Sequence, residues 1–217
     1  MDIREALQEP LEAKDGKTIE EKFEKIAENL FNNFCIKCGT RLFYFAEIEF
    51  YYYKKDEWED EWNKKTYPRT DKKAGNLFFH YSGCDVCFDS DFGKGVFGGI
   101  LIRSLKDENG TFITGPSVCV LEMLNLCSKS ETFPKVVPIK DAEHKNKCEL
   151  DVQNPIARYG IKYKEDNLVD KPLCYYDKKL LEKYTGDNCK EIFENATWDY
   201  DRKSPKSITR YYKRFCK

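Results

Sequence analysis

Two carboxylates, Glu47 and Glu49, lie within an aromatic run, Arg-Leu-Phe-Tyr-Phe-Ala-Glu-Ile-Glu-Phe-Tyr-Tyr-Tyr, from Arg41 to Tyr53. The composition predicts a strand. Because successive strand side chains point to opposite faces, Phe45, Glu47, Glu49, Tyr51 and Tyr53 are expected on one side, and Tyr44, Ala46, Ile48, Phe50 and Tyr52 on the other. A carboxylate bracketed by rings is suited to general-base chemistry: the rings stack a flat ligand and partly desolvate the acid, which then steers or deprotonates a water. The plainer reading is an edge strand whose wet face carries both glutamates, since buried Glu is rare.

The elements that must position this strand are legible around it. Thr18 followed by Glu21 forms a capping box for a helix from Ile19 to about Leu30, with Phe23, Ile26 and Ala27 at helical spacing. Strand patterns follow at Arg41–Tyr53, Leu77–Phe88, Val96–Leu105, Ile156–Tyr163 and Leu173–Tyr176, and Gly115-Pro116-Ser117 opens a further helix. Strands outnumber helices in the middle and helices lie at the flanks. The expected class is therefore α+β, a single mixed domain with a curved, mainly antiparallel sheet flanked by helices. A polar N-terminal segment (1–17), the domain itself (18–177) and a helical C-terminal extension (178–217) are expected. The extension carries a helix from Ser204-Pro205 with Ile208, Tyr211, Tyr212 and Phe215 on one stripe and Lys206, Arg210, Lys213 and Arg214 opposite, most simply a solvated basic face.

The 217 residues carry a formal net charge of -1, so no global field favours a polyanion, and any nucleic-acid contact would use a local patch. Met1 to Gly16 is polar and acidic rather than signal-like, and no run reaches the length of a membrane span. A cytoplasmic monomer with no membrane partner is expected. Ten cysteines include two Cys-x-x-Cys pairs, Cys35/Cys38 and Cys84/Cys87. They invite a zinc reading, but if Cys84 and Cys87 lie on one strand they point to opposite faces and cannot chelate together, so packed thiols are the default and no metal is expected.

Several short motifs occur in a fixed order: Ala-Glu-Ile-Glu-Phe-Tyr at 46–51, Ser-Gly-Cys-Asp-Val-Cys-Phe-Asp at 82–89, Gly-Gly-Ile-Leu-Ile-Arg-Ser-Leu at 98–105, Gly-Pro-Ser at 115–117, Ala-Arg-Tyr-Gly-Ile at 157–161 and Lys-Pro-Leu at 171–173. Together, over about residues 20 to 177, they resemble the mammalian-type alkyladenine (3-methyladenine) DNA glycosylase family, as a divergent member. The resemblance implies a general base at Glu49, a fixed cation at Arg103, and pocket walls at Tyr51 and Phe79. It also implies a purine-edge residue at Asp89, where the family has asparagine, and the position of the intercalating tyrosine at Ser82. The family's histidine a dozen residues after the base is missing, whereas His80 stands on a different strand as a candidate substrate contact.

These assignments lead to an expected activity: hydrolysis of the N-glycosidic bond of a damaged or alkylated purine by a Glu49-activated water, in damaged or single-stranded DNA, with no cofactor. The alternative is a non-catalytic binder of a nucleotide, a purine-type small ligand, a modified base or single-stranded nucleic acid. Each residue also has a structural explanation. Glu49 and Arg103 can be a register-fixing ion pair, Tyr51 and Phe79 core aromatics, Asp89 a turn residue and His80 a hydrogen-bonded strand residue.

Overall fold

The computed structural model describes residues 1–66, 72–130, 132–140, 147–150, 158, 168, 171, 173–177 and 179–180. The polar opening segment forms a helix, α1 (Ile3–Glu12), which buries Ala6, Leu7 and Leu11 despite Pro10 in its last turn. Its apolar positions are few but share one face, so the segment read as a polar lead belongs to the packed domain. The next helix, α2 (Ile19–Asn33), starts at the expected capping box, with the Glu21 amide donating to Thr18 Oγ1 at 3.2 Å. The two helices are tied by the buried Asn29 amide, which donates to the Ala6 carbonyl at 3.1 Å.

Among the described residues, nine strands form one curled antiparallel sheet. They are β1 (Phe34–Cys38), β2 (Arg41–Lys54), β3 (Trp58–Glu59), β4 (Leu77–His80), β5 (Gly83–Cys87), β6 (Val96–Asp107), β7 (Phe112–Thr114), β8 (Lys135–Pro138) and β9 (Cys174–Tyr176). The main path runs β4-β5-β6-β2-β1-β8, with β3 and β9 paired to β2 and β7 to β6. Helix α3 (Glu61–Thr66) follows β3, and α4 (Pro116–Ser130) begins at the expected proline. The chain is α+β, as its element pattern implies. The expected strand at Ile156–Tyr163, apart from Arg158, and almost all of the C-terminal extension lie outside the described residues.

One face of β2 meets α2. Phe23 stacks on Phe50 with ring centroids 4.5 Å apart and meets Tyr52 and Trp58 edge-on. Ile48, Ile100, Ile102 and Val86 continue this core and are fully buried. The tight junction of β2 and β6 depends on Gly98, where a Cβ would lie 2.3 Å from the Tyr51 carbonyl oxygen.

Two register shifts interrupt the β2–β6 ladder. Phe45 pairs with Leu105, Glu47 with Ser104 and Ile48 with Ile102, so Ala46 is an extra residue on β2 and Arg103 an extra residue on β6. Each insertion reverses the alternation locally, and the two compensate. Phe45 consequently shares the core face with Leu105, instead of joining Glu47 and Glu49 as strict alternation predicts.

Candidate functional site

The opposite face of the same strands gathers Glu47, Glu49 and Tyr51 from β2 and Arg103 and Ser104 from β6. The Arg103 bulge lets two consecutive β6 residues serve this face. Arg103 Nη1 donates to Glu49 Oε2 at 2.5 Å, its Nε lies 3.3 Å from Glu47 Oε1, and Ser104 Oγ donates to Glu47 Oε2 at 2.9 Å. Cys174 on β9 adds its thiol, 3.5 Å from Glu47 Oε1, and the Tyr51 hydroxyl donates to Glu49 Oε1. Glu47, Glu49 and Arg103 are buried, at 1%, 0% and 4% exposure, so these glutamates are not the wet face of an edge strand.

Burial sets the electrostatics. It pushes the Tyr51 hydroxyl well above its ordinary pKa, and the adjacent Glu49 pushes it further, so the phenol stays a proton donor. Burial works against the charge on Arg103, but Glu49 and then Glu47 outweigh it and hold the guanidinium above its ordinary value. The result is a carboxylate whose two oxygens are oriented by different donors, with lone pairs to spare on each.

A second buried ion pair adjoins the first. Arg158 donates to Asp60 through Nη1 at 2.5 Å, and both side chains have 0% exposure. The Arg158 guanidinium also lies over the Tyr51 ring, 4.9 Å from its centroid. Asp60 is held in turn by the Asn63 amide at 3.1 Å, and Asn63 Nδ2 donates to the Phe97 carbonyl at 3.2 Å. Tyr51 thus connects two charged clusters. In the sequence Asp60 lies in the mostly acidic stretch from Asp56 to Glu61, and Arg158 stands out only as part of the Ala-Arg-Tyr-Gly-Ile motif. Their separation of 98 positions offers no local spacing to join them.

The remaining expected residues divide. Phe79 does not face Tyr51: it pairs with Cys84, packs on the hydrophobic core, and lies on the other side of the sheet from Glu49. The β4 aromatic that does share the Glu49 face is its neighbour Phe78, opposite Asp85. His80 shares that face, with Nε2 3.1 Å from Asp85 Oδ1. Ser82 sits in the two-residue turn between β4 and β5, its amide donating to His80 Nδ1 at 3.2 Å, while the preceding Tyr81 is fully exposed at the tip.

Asp89 stands away from the Glu49 cluster as an anchor for α1. It accepts from Arg4 Nε at 2.7 Å and from the Ala74 amide at 2.8 Å, and its own amide donates to Gln8. Cys84 and Cys87 lie on opposite faces of β5, and no group of three metal-binding side chains occurs among the described residues. Nor, among those residues, is any helix long and apolar enough to cross a membrane. Comparison of the chain with protein-family models and with curated proteins gives no match.

Proposed function

We propose that the protein hydrolyses the N-glycosidic bond of a damaged purine, with Glu49 as the residue that positions and deprotonates the attacking water. The observation that carries this reading is the orientation of Glu49 from both sides, by Arg103 on Oε2 and by the Tyr51 hydroxyl on Oε1. A carboxylate fixed in this way can hold a water at one aligned lone pair and offset the positive charge of an oxocarbenium-like transition state. Glu47, engaged by Ser104 and Cys174, acts through Arg103 as a positioning residue. Tyr51 supplies a wall for the base. Tyr81 supplies the exposed ring that Ser82 lacks, beside an opened base stack.

The second reading, a binder without turnover, is favoured by a different observation: Glu49 is fully buried and already ion-paired, as a register-fixing residue would be. The two are separated by incubating the full chain with single-stranded and duplex oligonucleotides carrying alkylated purines and measuring both binding and free base. Base release that falls by about 10²–10⁴-fold in a folded Glu49→Gln variant supports hydrolysis. Binding without release selects the binder, and binding that weakens in Tyr81→Ala places the nucleic acid at the hairpin. Neither binding nor release removes both readings.

A further inference from the structure

The cross-strand row that contains Glu49 extends beyond it. Glu49 pairs with Leu101, Leu101 with Asp85, and Asp85 with Phe78, so the four side chains share one face across β2, β6, β5 and β4. Asp85 therefore stands two strand spacings, about 10 Å, from Glu49, with Leu101 as an apolar floor between them. That separation is of the order of the long axis of a flat bicyclic base with a hydrogen bond at each end.

Asp85 is only 6% exposed, and its two oxygens are treated differently. Oδ1 lies 3.1 Å from His80 Nε2, and the Ser82 amide donates to His80 Nδ1 at 3.2 Å. The Nδ1 lone pair is thus taken, which assigns the ring proton to Nε2 and makes His80 a donor to Asp85. The Phe78 ring stacks on the imidazole, with centroids 5.5 Å apart, and holds its plane. Asp85 Oδ2, by contrast, accepts no hydrogen bond among the described residues. It leans over Gly99, where a Cβ would lie 3.6 Å from Oδ2 and 3.1 Å from Asp85 Cβ. Gly99 is the cross-strand partner of Tyr51, so the glycine leaves the space between the carboxylate and that wall without a side chain. A largely buried carboxylate with an unused oxygen carries a desolvation cost that a ligand's N–H would offset.

We propose that Asp85, oriented by His80, reads the donor edge of a guanine-type purine. This rests on the reading above that the Glu49 face takes a purine. An ionised carboxylate only accepts hydrogen bonds, and the two adjacent N–H donors of guanine, on N1 and on the 2-amino group, match its two oxygens in parallel. Hypoxanthine offers one of these donors. Adenine sets the N1 lone pair against the carboxylate beside a single donor. The preference is therefore guanine over hypoxanthine over adenine, and alkylation at N7 leaves the recognised edge intact. His80 is a positioning residue: it fixes Asp85 and need not touch the base.

The test is equilibrium binding of guanosine, inosine and adenosine to the full chain, followed by calorimetry. Guanosine binds tighter than adenosine by about tenfold or more, the value of one bidentate base contact. Asp85→Asn reverses the order, because the amide presents one donor and one acceptor, the complement of the adenine edge. His80→Ala, at a half-buried position, keeps purine binding but narrows the guanosine-to-adenosine ratio by several-fold. If both variants bind with the wild-type ratio, Asp85 does not read the base and this inference falls while the purine reading stands. If the wild-type chain binds none of the three nucleosides, both fall together.

Discussion

Replacing Arg103 with methionine is the sharpest probe of the buried cluster, because its cost can be set against that of Glu49→Gln at the same contact. In the native cluster one guanidinium serves two carboxylates, contacting Glu49 Oε2 at 2.5 Å and Glu47 Oε1 at 3.3 Å. Methionine fills much of the space but takes the shared guanidinium away from both buried acids. Breaking a buried pair in this way costs about 3–5 kcal/mol. At about 2–4 °C per kcal/mol for a chain of this size, the melting temperature falls by roughly 6–20 °C.

Glu49→Gln is expected to behave differently. The glutamine oxygen can still accept from Arg103 or Tyr51, Arg103 keeps Glu47, and the cluster loses its formal excess negative charge. A charge-assisted hydrogen bond worth about 1.5–3 kcal/mol becomes an ordinary one, and the relief of like charge offsets part of that loss, leaving a net cost of about 1 kcal/mol. The double variant should then be more stable than Arg103→Met alone, with a coupling of about 1–3 kcal/mol, because one of the two stranded acids is gone. Urea unfolding of the four proteins with a common m-value measures all of these quantities. Equal losses for Glu49→Gln and Arg103→Met, or no recovery in the double variant, would refute the argument that Arg103 is the shared counter-ion. The small cost for glutamine is also what makes a loss of base release in that variant interpretable as chemistry.

Gly98→Ala should be among the most damaging single-methyl additions, at or above the upper end of the usual 1–3 kcal/mol for overpacking. Its Cβ would meet backbone atoms of Tyr51 and Tyr52 at 2.3 and 2.9 Å, forcing β2 and β6 apart; a variant with an unchanged urea midpoint would show that the junction is not tight. Asp89→Asn should destabilise at neutral pH and become harmless in acid. Burial raises the Asp89 pKa, but the Ala74 amide and then Arg4 outweigh it and hold it below the ordinary 3.8. A depressed folded-state pKa contributes stability above the unfolded value and loses it as pH falls through the folded one. The melting-temperature gap between the variant and the native chain should therefore be full near pH 7 and close as pH falls below about 3.8; a gap that persists at about pH 2 would contradict the anchor role.

The fold was legible wherever a local rule governed it: the Thr18 box started α2, Pro116 started α4, and the aromatic run became β2. The site was legible only in part, because period-two reasoning and counting along a motif both assume an uninterrupted ladder. Counting from the glycosylase pattern set Phe79 on a pocket wall and Ser82 at the point of insertion. In the β4–β5 hairpin Phe79 points away from Glu49, Phe78 and the expected His80 share the Glu49 face, and Tyr81 and Ser82 form the turn. Asp85 was hidden inside a Cys-x-x-Cys motif, where the cysteines drew the chemistry.

The decisive departure is the pair of insertions at Ala46 and Arg103. With strict alternation, any face that carries Glu47 and Glu49 also carries Phe43 and Phe45, so either the acids enter the apolar core or the phenylalanines enter the charged site. One extra residue on each strand removes that conflict: Phe43 and Phe45 stay in the core, both glutamates reach the opposite face, and the ladder resumes its register beyond them. The same insertion on β6 gives Arg103 and Ser104 access to that face from adjacent positions. A bulge is silent in hydrophobic pattern, since Ala46 and Arg103 look like ordinary strand residues, but it determines whether this sequence can bury a paired carboxylate beside an apolar core.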